Sequence, residues 1–176
     1  MRHILIVGRN GVGKSTLIRA LLKELNAPVY GVFTKKQSED NDGSCPVYIH
    51  LYGEERQYND ANRIGRCSAQ NAVACPDAFD RFSEKMRFPN DGVIVLDELG
   101  FLESGAERFT TAVLKILDEA PFVIAAVRDK DTPFLNAVRA HPRAAIYRIT
   151  EENRDSLCDM LLSVIREFNR ETERNA

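Results

Sequence analysis

One glycine-rich segment near the start of the chain has the residue types and spacing of a phosphate-binding loop. Residues 8–15 have the sequence GRNGVGKS, which matches the pattern G-x-x-x-x-G-K-[ST]. The glycines let successive backbone N–H groups point inward, where these donors and the N-terminus of the following helix bind phosphate oxygens. The lysine is expected to reach the β- and γ-phosphates of a nucleotide, and the serine hydroxyl to bind Mg²⁺. The predicted nucleotide-binding residues are Gly8, Arg9, Asn10, Gly11, Val12, Gly13, Lys14, Ser15 and Thr16.

Two acidic residues directly follow a short apolar run in the middle of the chain. The run Val93–Leu96 predicts a buried strand, and Asp97 and Glu98 stand at its C-terminal end, where open α/β sheets bind their ligands. We expect Asp97 to hold Mg²⁺ together with Ser15. We expect Glu98 to orient or deprotonate the water that attacks the γ-phosphate.

Further positive charge at the γ-phosphate is expected from an arginine and from the lysine of the loop. Arg128 directly follows the apolar run Phe122–Val127. If this strand lies beside the strand of the phosphate loop, Arg128 faces the nucleotide and neutralises phosphate charge. We expect Lys14 to be exposed at the start of its helix. Lys14, Glu98 and Arg128 are therefore the predicted catalytic residues.

The sequence marks no residue for recognising one particular base. Residues 97–100 also fit the D-x-x-G pattern of GTPases, but a guanine-specific GTPase normally carries N-K-x-D after a later strand, and residues 128–131 here are RDKD. Rejecting a wrong base by far more than tenfold requires buried polar groups that this base leaves unpaired. We therefore expect weak discrimination between ATP and GTP.

The elements that must position these residues alternate between short apolar runs and amphipathic helices. This order predicts one α/β domain over residues 1–170, with a mostly parallel sheet flanked by helices. Strands are predicted at His3–Val7, Val29–Thr34, Val47–Tyr52, Val93–Leu96, Phe122–Val127 and Ala145–Ile149. Helices are predicted at Ser15–Leu25 and at residues 77–87. Three more are predicted from their N-terminal signals, namely a capping box of Ser104 and Glu107, an N-cap at Thr132 followed by Pro133, and an N-cap at Thr150.

Residues 35–75 interrupt this alternation. The polar, turn-rich residues 35–46 lie between β-prone runs and predict either the connection of an added antiparallel β-hairpin or a mobile loop. Residues 53–75 show no clear pattern, although they contain Arg56, Arg63 and Arg66. Residues 171–176 are polar and are expected to form a frayed tail.

Composition and charge exclude several classes of protein. The 176 residues suffice for one domain with its own core, and 44% hydrophobic with 28% charged residues excludes a disordered chain. A general nucleic-acid-binding protein would show a basic excess, whereas the formal net charge here is −2. The apolar runs are of strand length and the first residues do not resemble a signal peptide. We therefore expect a cytoplasmic protein without a membrane span or a nucleic-acid partner, and we expect a monomer.

Four segments together resemble the cancer-related nucleoside-triphosphatase family, over about residues 3–165. They are GRNGVGKSTL from Gly8, GVFTKK from Gly31, VLDELGFLES from Val95 and ITEENRDSL from Ile149. The resemblance implies a single P-loop NTPase domain with an added β-hairpin, and slow Mg²⁺-dependent hydrolysis of several nucleoside triphosphates. It matches residues 8–16 with the family's phosphate loop, and residues 97–98 with its metal-binding and catalytic acids. The family often has a lysine where this chain has Phe101, which predicts a different rate or nucleotide preference.

Two other functions also fit these residues. A nucleoside or nucleotide kinase would use the same phosphate loop, and its arginine-rich lid could include Arg56, Arg63 and Arg66. A non-catalytic switch would bind nucleotides and change its affinity for a partner between the di- and triphosphate states. Phosphate release without an added acceptor distinguishes a nucleoside-triphosphatase from a kinase.

Overall fold

The computed structural model describes residues 2–41, 43–68 and 71–175, and its strands form one eight-stranded sheet. The strand order across the sheet is β5-β4-β3-β2-β6-β7-β1-β8. The strands are β1 (His3–Gly8), β2 (Val29–Lys36), β3 (Cys45–Leu51), β4 (Arg63–Cys67), β5 (Ala72–Ala74), β6 (Val93–Leu99), β7 (Phe122–Arg128) and β8 (Ala144–Arg148). The helices are α1 (Lys14–Lys23), α2 (Pro76–Ser83), α3 (Glu107–Glu119), α4 (Pro133–Ala140) and α5 (Arg154–Asn175), with a 3-10 helix at Leu102–Gly105.

The parallel part of the sheet confirms the predicted fold class. Strands β2, β6, β7, β1 and β8 each pair in parallel with their neighbours in this order. Strand β1 is buried along its whole length, because α1 and α5 pack on one face of the sheet and α2, α3 and α4 on the other. A strand covered on both faces has no reason to alternate polar and apolar residues. This is why its sequence, HILIVG, is a continuous apolar run.

The antiparallel part of the sheet is larger than the predicted hairpin. Strand β2 pairs antiparallel with β3, β3 with β4, and β4 with β5, so β3, β4 and β5 extend the sheet on one side. The predicted hairpin corresponds to β2 and β3. The sequence did not predict β4, which has the sequence RIGRC, or β5, which is three residues long, because neither contains a run of alternating apolar residues.

The starts of the helices follow the sequence signals only in part. Thr132 caps α4, since its hydroxyl oxygen accepts a hydrogen bond from the Leu135 N–H at 3.2 Å. The predicted capping box of Ser104 and Glu107 is wrong, because Ser104 lies inside the 3-10 helix and Ala106 directly precedes α3. Thr150 is not the residue directly before α5, which begins at residue 154. Its hydroxyl oxygen nevertheless accepts a hydrogen bond from the Asn153 N–H at 3.3 Å, as an N-cap side chain does, so Thr150 caps the turn that leads into α5.

Helix α5 continues to residue 175, which differs from the frayed tail expected at residues 171–176. Contacts with the end of α1 account for the difference. The side chain of Asn169 donates to the Glu24 carbonyl at 2.6 Å, and the side chain of Asn26 donates to Glu173 at 3.2 Å. Ala176 lies outside the described residues. None of the described helices combines the length and the apolar character needed to cross a bilayer.

Candidate active site

The predicted phosphate loop connects β1 to α1. Strand β1 lies between β7 and β8, and Gly8 is its last residue. Gly13, immediately before α1, has a φ of +111°, a left-handed conformation that residues with a side chain rarely adopt. The first turn of α1 contains no acidic residue, so its free N–H groups create a positive potential at the loop. This arrangement suits a bound anion such as a phosphate.

Lys14 is buried, so the expectation of an exposed lysine is wrong. Its side chain is 3% exposed and folds back over the loop. The ammonium donates hydrogen bonds to the carbonyl oxygens of Gly8 at 2.8 Å and Arg9 at 2.6 Å. Its Nζ lies 3.6 Å from Oε2 of Glu98. Burial lowers the pKa of the ammonium, and the negative charge of Glu98 opposes this shift.

Ser15 and Asp97, the predicted metal ligands, lie in direct contact. The Ser15 hydroxyl donates to Oδ1 of Asp97 at 2.8 Å. Burial raises the pKa of the Asp97 carboxyl, whereas the hydrogen bond from Ser15 acts in the opposite direction. A hydroxyl and a carboxylate are both hard oxygen ligands. The residues present therefore fit Mg²⁺.

An irregularity at the end of β6 brings both acids to the loop. Side chains of consecutive residues in a regular strand point to opposite faces. The pairing of β6 with β7 shifts between Asp97 and Leu99, so that Ala126 opposes the first and Val127 the second. Glu98 lies in this bulge, which locally changes the direction of its side chain. As a result, Asp97 contacts Ser15 while Glu98 faces Lys14.

Arg128 lies at the site, as predicted from the pairing of its strand with β1. It is the residue of β7 that opposes Gly8. Its Nε donates to Oε1 of Glu98 at 2.6 Å, and its Nη2 donates to the side chain of Asn10 at 3.2 Å. The guanidinium carbon also lies 5.6 Å from the ring centre of Phe101, a favourable cation–π geometry. Phe101, where the family often has a lysine, thus supports Arg128 in this chain.

Glu103 is a buried acid that the sequence analysis missed. It lies in the 3-10 helix after β6, is 3% exposed, and accepts a hydrogen bond from the Gly100 N–H at 3.0 Å. Burial raises its pKa to about 7, and the charge of Glu98 adds to this effect while Arg128 opposes it. The only signal in the sequence is an acid six residues after Asp97 in a segment rich in apolar residues. That pattern does not distinguish a buried acid from a solvated one.

Most of the side chains described above, but not Lys14, border one open cavity of about 540 Å³, which is within the range of ligand-binding cavities. The residues of the phosphate loop and of β6 and β7 form its inner wall, and β2 and the antiparallel strands form its outer wall. The inner wall includes Asn10, Ser15, Asp97, Glu98, Glu103 and Arg128, and the outer wall includes Thr34, Lys36, Val47 and Ile64.

The arginines of residues 53–75 do not converge on this cavity. Arg63 forms an ion pair with Asp60 at 2.9 Å, and Arg66 pairs with Asp40. Arg56 lies over the ring of Phe33, with its guanidinium carbon 5.3 Å from the ring centre. None of the three lines this cavity, although Arg56 lines a neighbouring cavity on the other face of β2. This arrangement does not favour the kinase-type lid considered above.

Comparison with known proteins gives one consistent result over nearly the whole chain. The sequence model of a family described as NTPase matches residues 3–162. Nucleoside-triphosphatase THEP1 of Thermotoga maritima is 33% identical over 173 residues, which cover 95% of this chain and 97% of the relative. The human cancer-related nucleoside-triphosphatase is 23% identical over 186 residues, covering 93% and 96%. The crystal structure of THEP1 from Aquifex aeolicus superposes with a TM-score of 0.61 at 22% identity, over 93% of this chain and 98% of that one, and shows the shared fold.

Proposed function

The chain belongs to this nucleoside-triphosphatase family, and from that premise we propose that it is a Mg²⁺-dependent enzyme with broad specificity. The reaction is the hydrolysis of a nucleoside triphosphate to the diphosphate and phosphate. The substrates proposed are ATP and GTP, followed by CTP and UTP, because the assigned residues contact groups that all triphosphates share. A cytoplasmic location and a monomeric state remain predictions from the sequence.

One observation supports this proposal most directly, namely that Glu98 faces two cations at the phosphate loop. Lys14 lies 3.6 Å from Oε2 of Glu98, and Arg128 donates to Oε1 at 2.6 Å. These two contacts hold the Glu98 carboxylate against the cations and away from a water molecule. The γ-phosphate of a bound triphosphate competes for the same two cations. Substrate binding therefore releases Glu98 to accept a proton.

Different residues of the site bind the β-phosphate, the γ-phosphate and the metal ion. The N–H groups of the loop and of the α1 N-terminus bind the β-phosphate, while Lys14 and Arg128 bind the γ-phosphate and stabilise the charge that develops there. Ser15 and Asp97 would hold Mg²⁺, which when bound neutralises phosphate charge and orients the β- and γ-oxygens.

Glu98 acts on the water that attacks the γ-phosphorus. As the new P–O bond forms, Glu98 takes the proton of the water, and the bond from the γ-phosphorus to the bridging oxygen breaks. The diphosphate leaves with the electrons of that bond. A positioned general base typically accelerates a reaction by about 10²–10⁴-fold.

Phosphate release from ATP, GTP, CTP and UTP, with and without Mg²⁺, tests the proposed function. We expect release from all four with Mg²⁺ and no added acceptor, and a kcat/KM for ATP and GTP that agrees within about tenfold. Lys14→Met, purified in the same way, is the control for contaminating phosphatases and should release no phosphate above background. A preference beyond about a hundredfold for one base would show a dedicated base pocket, and phosphate release that depends on an added acceptor would show a kinase.

A further inference from the structure

A second cavity, of about 320 Å³, lies beside the active site. Side chains along β2 alternate between the two faces of the sheet, so Lys36 lines the active-site cavity while Phe33 and Lys35 line the second one. Ser15 and Asp97 border both cavities. A ligand in the second cavity would therefore lie next to the proposed metal site, on the side away from Arg128.

Three cations surround the second cavity. They are Arg19 on α1, Lys35 on β2 and Arg56 in the segment after β3. Within the described parts of the chain, no carboxylate oxygen lies within ion-pair distance of any of these three side chains. The acids that line the cavity are Glu54 and Asp97, and the latter is already engaged by Ser15. The balance of charge favours an anionic ligand.

Aromatic rings form another wall of the second cavity. The ring of Phe33 stacks on His50 with centres 5.1 Å apart, and Tyr52 meets Phe33 edge-on at 5.1 Å. Burial raises the pKa of Tyr52 to about 12, so its hydroxyl remains a hydrogen-bond donor. The buried Nε2 of His50 has no hydrogen-bond partner among the described residues. His50 does not line the cavity itself, and it supports the ring of Phe33 from behind.

We propose that the second cavity binds a nucleoside monophosphate, with its base against Phe33 and Tyr52 and its phosphate between Arg19, Lys35 and Arg56. Base–aromatic stacking tolerates different bases because every base has a π-face, and arginine forks match the geometry of a phosphate. Arg56 is exposed and lies over Phe33. Its movement to the phosphate would uncover the ring for the base. The volume of about 320 Å³ is at the small end of ligand cavities, which suits a monophosphate.

This site goes beyond the proposed function, because hydrolysis requires only the first cavity. Calorimetric titration with AMP tests it on wild-type protein already saturated with Mg²⁺ and a non-hydrolysable ATP analogue. We expect one AMP to bind per chain in addition to the bound ATP analogue. If the analogue abolishes AMP binding, AMP had occupied the phosphate loop and the proposal is wrong.

Two variants locate the bound AMP. Arg56→Gln is expected to weaken AMP binding at least tenfold, since it removes a charged donor from the phosphate. Arg63→Gln is the matched control, because Arg63 belongs to the same part of the chain but pairs with Asp60 and does not line the cavity. Equal AMP affinity in the two variants would contradict the proposal.

Inorganic phosphate distinguishes a nucleotide site from a simple phosphate site. We expect it to bind at least tenfold more weakly than AMP, and Phe33→Leu to weaken the binding of AMP but not of phosphate. Phosphate that binds as tightly as AMP would overturn the assignment of a nucleoside ligand. Thermal unfolding of each variant verifies its fold, and ATP hydrolysis by the same preparations reports separately on the proposed function.

Discussion

At the scale of single residues, the site is a cluster of charged side chains that are largely withdrawn from solvent. Lys14, Glu98 and Arg128 form one connected ion cluster, and Glu103 lies behind it almost without solvent contact. Burying charged groups costs free energy even when they are paired. Substitutions at these positions should therefore affect activity and stability in different directions.

Lys14→Met separates the two effects because methionine fills much of the volume of lysine without its charge. We expect hydrolysis to fall at least a hundredfold, since the variant loses the ammonium that lies beside Glu98 and is assigned to the γ-phosphate. We expect the melting temperature to stay the same or rise, because the variant no longer desolvates an ammonium and Glu98 keeps its hydrogen bond from Arg128. Phosphate release and thermal unfolding measure the two effects, and turnover at the wild-type level would refute the assignment of the phosphate loop.

Glu103→Gln tests the buried acid through the pH dependence of stability. The folded state binds the Glu103 proton up to a pKa of about 7, whereas the unfolded chain releases it near the ordinary value of 4.5. The native protein therefore loses stability relative to the Gln variant as pH rises from 4.5 to 7, and by up to about 3 kcal/mol. Urea unfolding of both proteins at pH 5 and pH 8 measures this difference. An equal difference at the two pH values would show that Glu103 has an ordinary pKa.

At the scale of elements, the parallel strands were predictable and the antiparallel strands largely were not. Strands β1, β6 and β7 begin as continuous apolar runs and carry the candidate site residues at or near their C-terminal ends. The sequence therefore predicted these strands and the edge of the sheet at which the candidate residues lie. Strand β4 contains two arginines in five residues, and its pairing with β3 overrides its weak local preference. Contacts formed across the sheet are not encoded in local periodicity.

The same limit applies to the side chains of the site. The positions of Asp97 and Arg128 at the ends of apolar runs predicted that both lie at the phosphate loop, because strand ends meet at one edge of a parallel sheet. It did not predict that Lys14 is buried against the loop carbonyls or that Glu103 lies behind Glu98. These features depend on the path of the loop and on the 3-10 helix after β6, which the sequence pattern did not indicate.

The junction of β2 with β6 is the element contact that joins the antiparallel strands to the parallel sheet. Gly31 in β2 has a φ of +123°, and a Cβ added there would lie 2.0 Å from the Val95 carbonyl oxygen. We expect Gly31→Ala to destabilise the protein by more than about 3 kcal/mol, because both strain and a backbone clash oppose it. Gly105→Ala is the control, since its Cβ would lie 3.4 Å from Pro76. Urea midpoints measure both, and equal midpoints would contradict this account of the junction.

At the scale of the whole molecule, three parallel strands bring the active site together. Strand β7 lies between β1 and β6, so Arg128 is placed between the phosphate loop and the two acids. Strand β2, on the far side of β6, separates the active-site cavity from the second cavity. The phosphate loop thus borders a second cavity whose wall includes side chains of β2 and of the segment after β3.

The central claim is that Glu98 is the general base and is released when a triphosphate draws Lys14 and Arg128 away from it. The most direct test of this claim uses the variant Glu98→Gln. It measures the single-turnover release of phosphate from Mg²⁺–ATP and, in parallel, the affinity for ATP. Glu119→Gln, the same change at an exposed position of α3, is the matched control and should behave as wild type. We predict that Glu98→Gln binds ATP as tightly as wild type or more tightly, because the phosphates no longer compete with a carboxylate, and that its rate falls by about 10²–10⁴-fold. A single-turnover rate equal to that of wild type would contradict the claim.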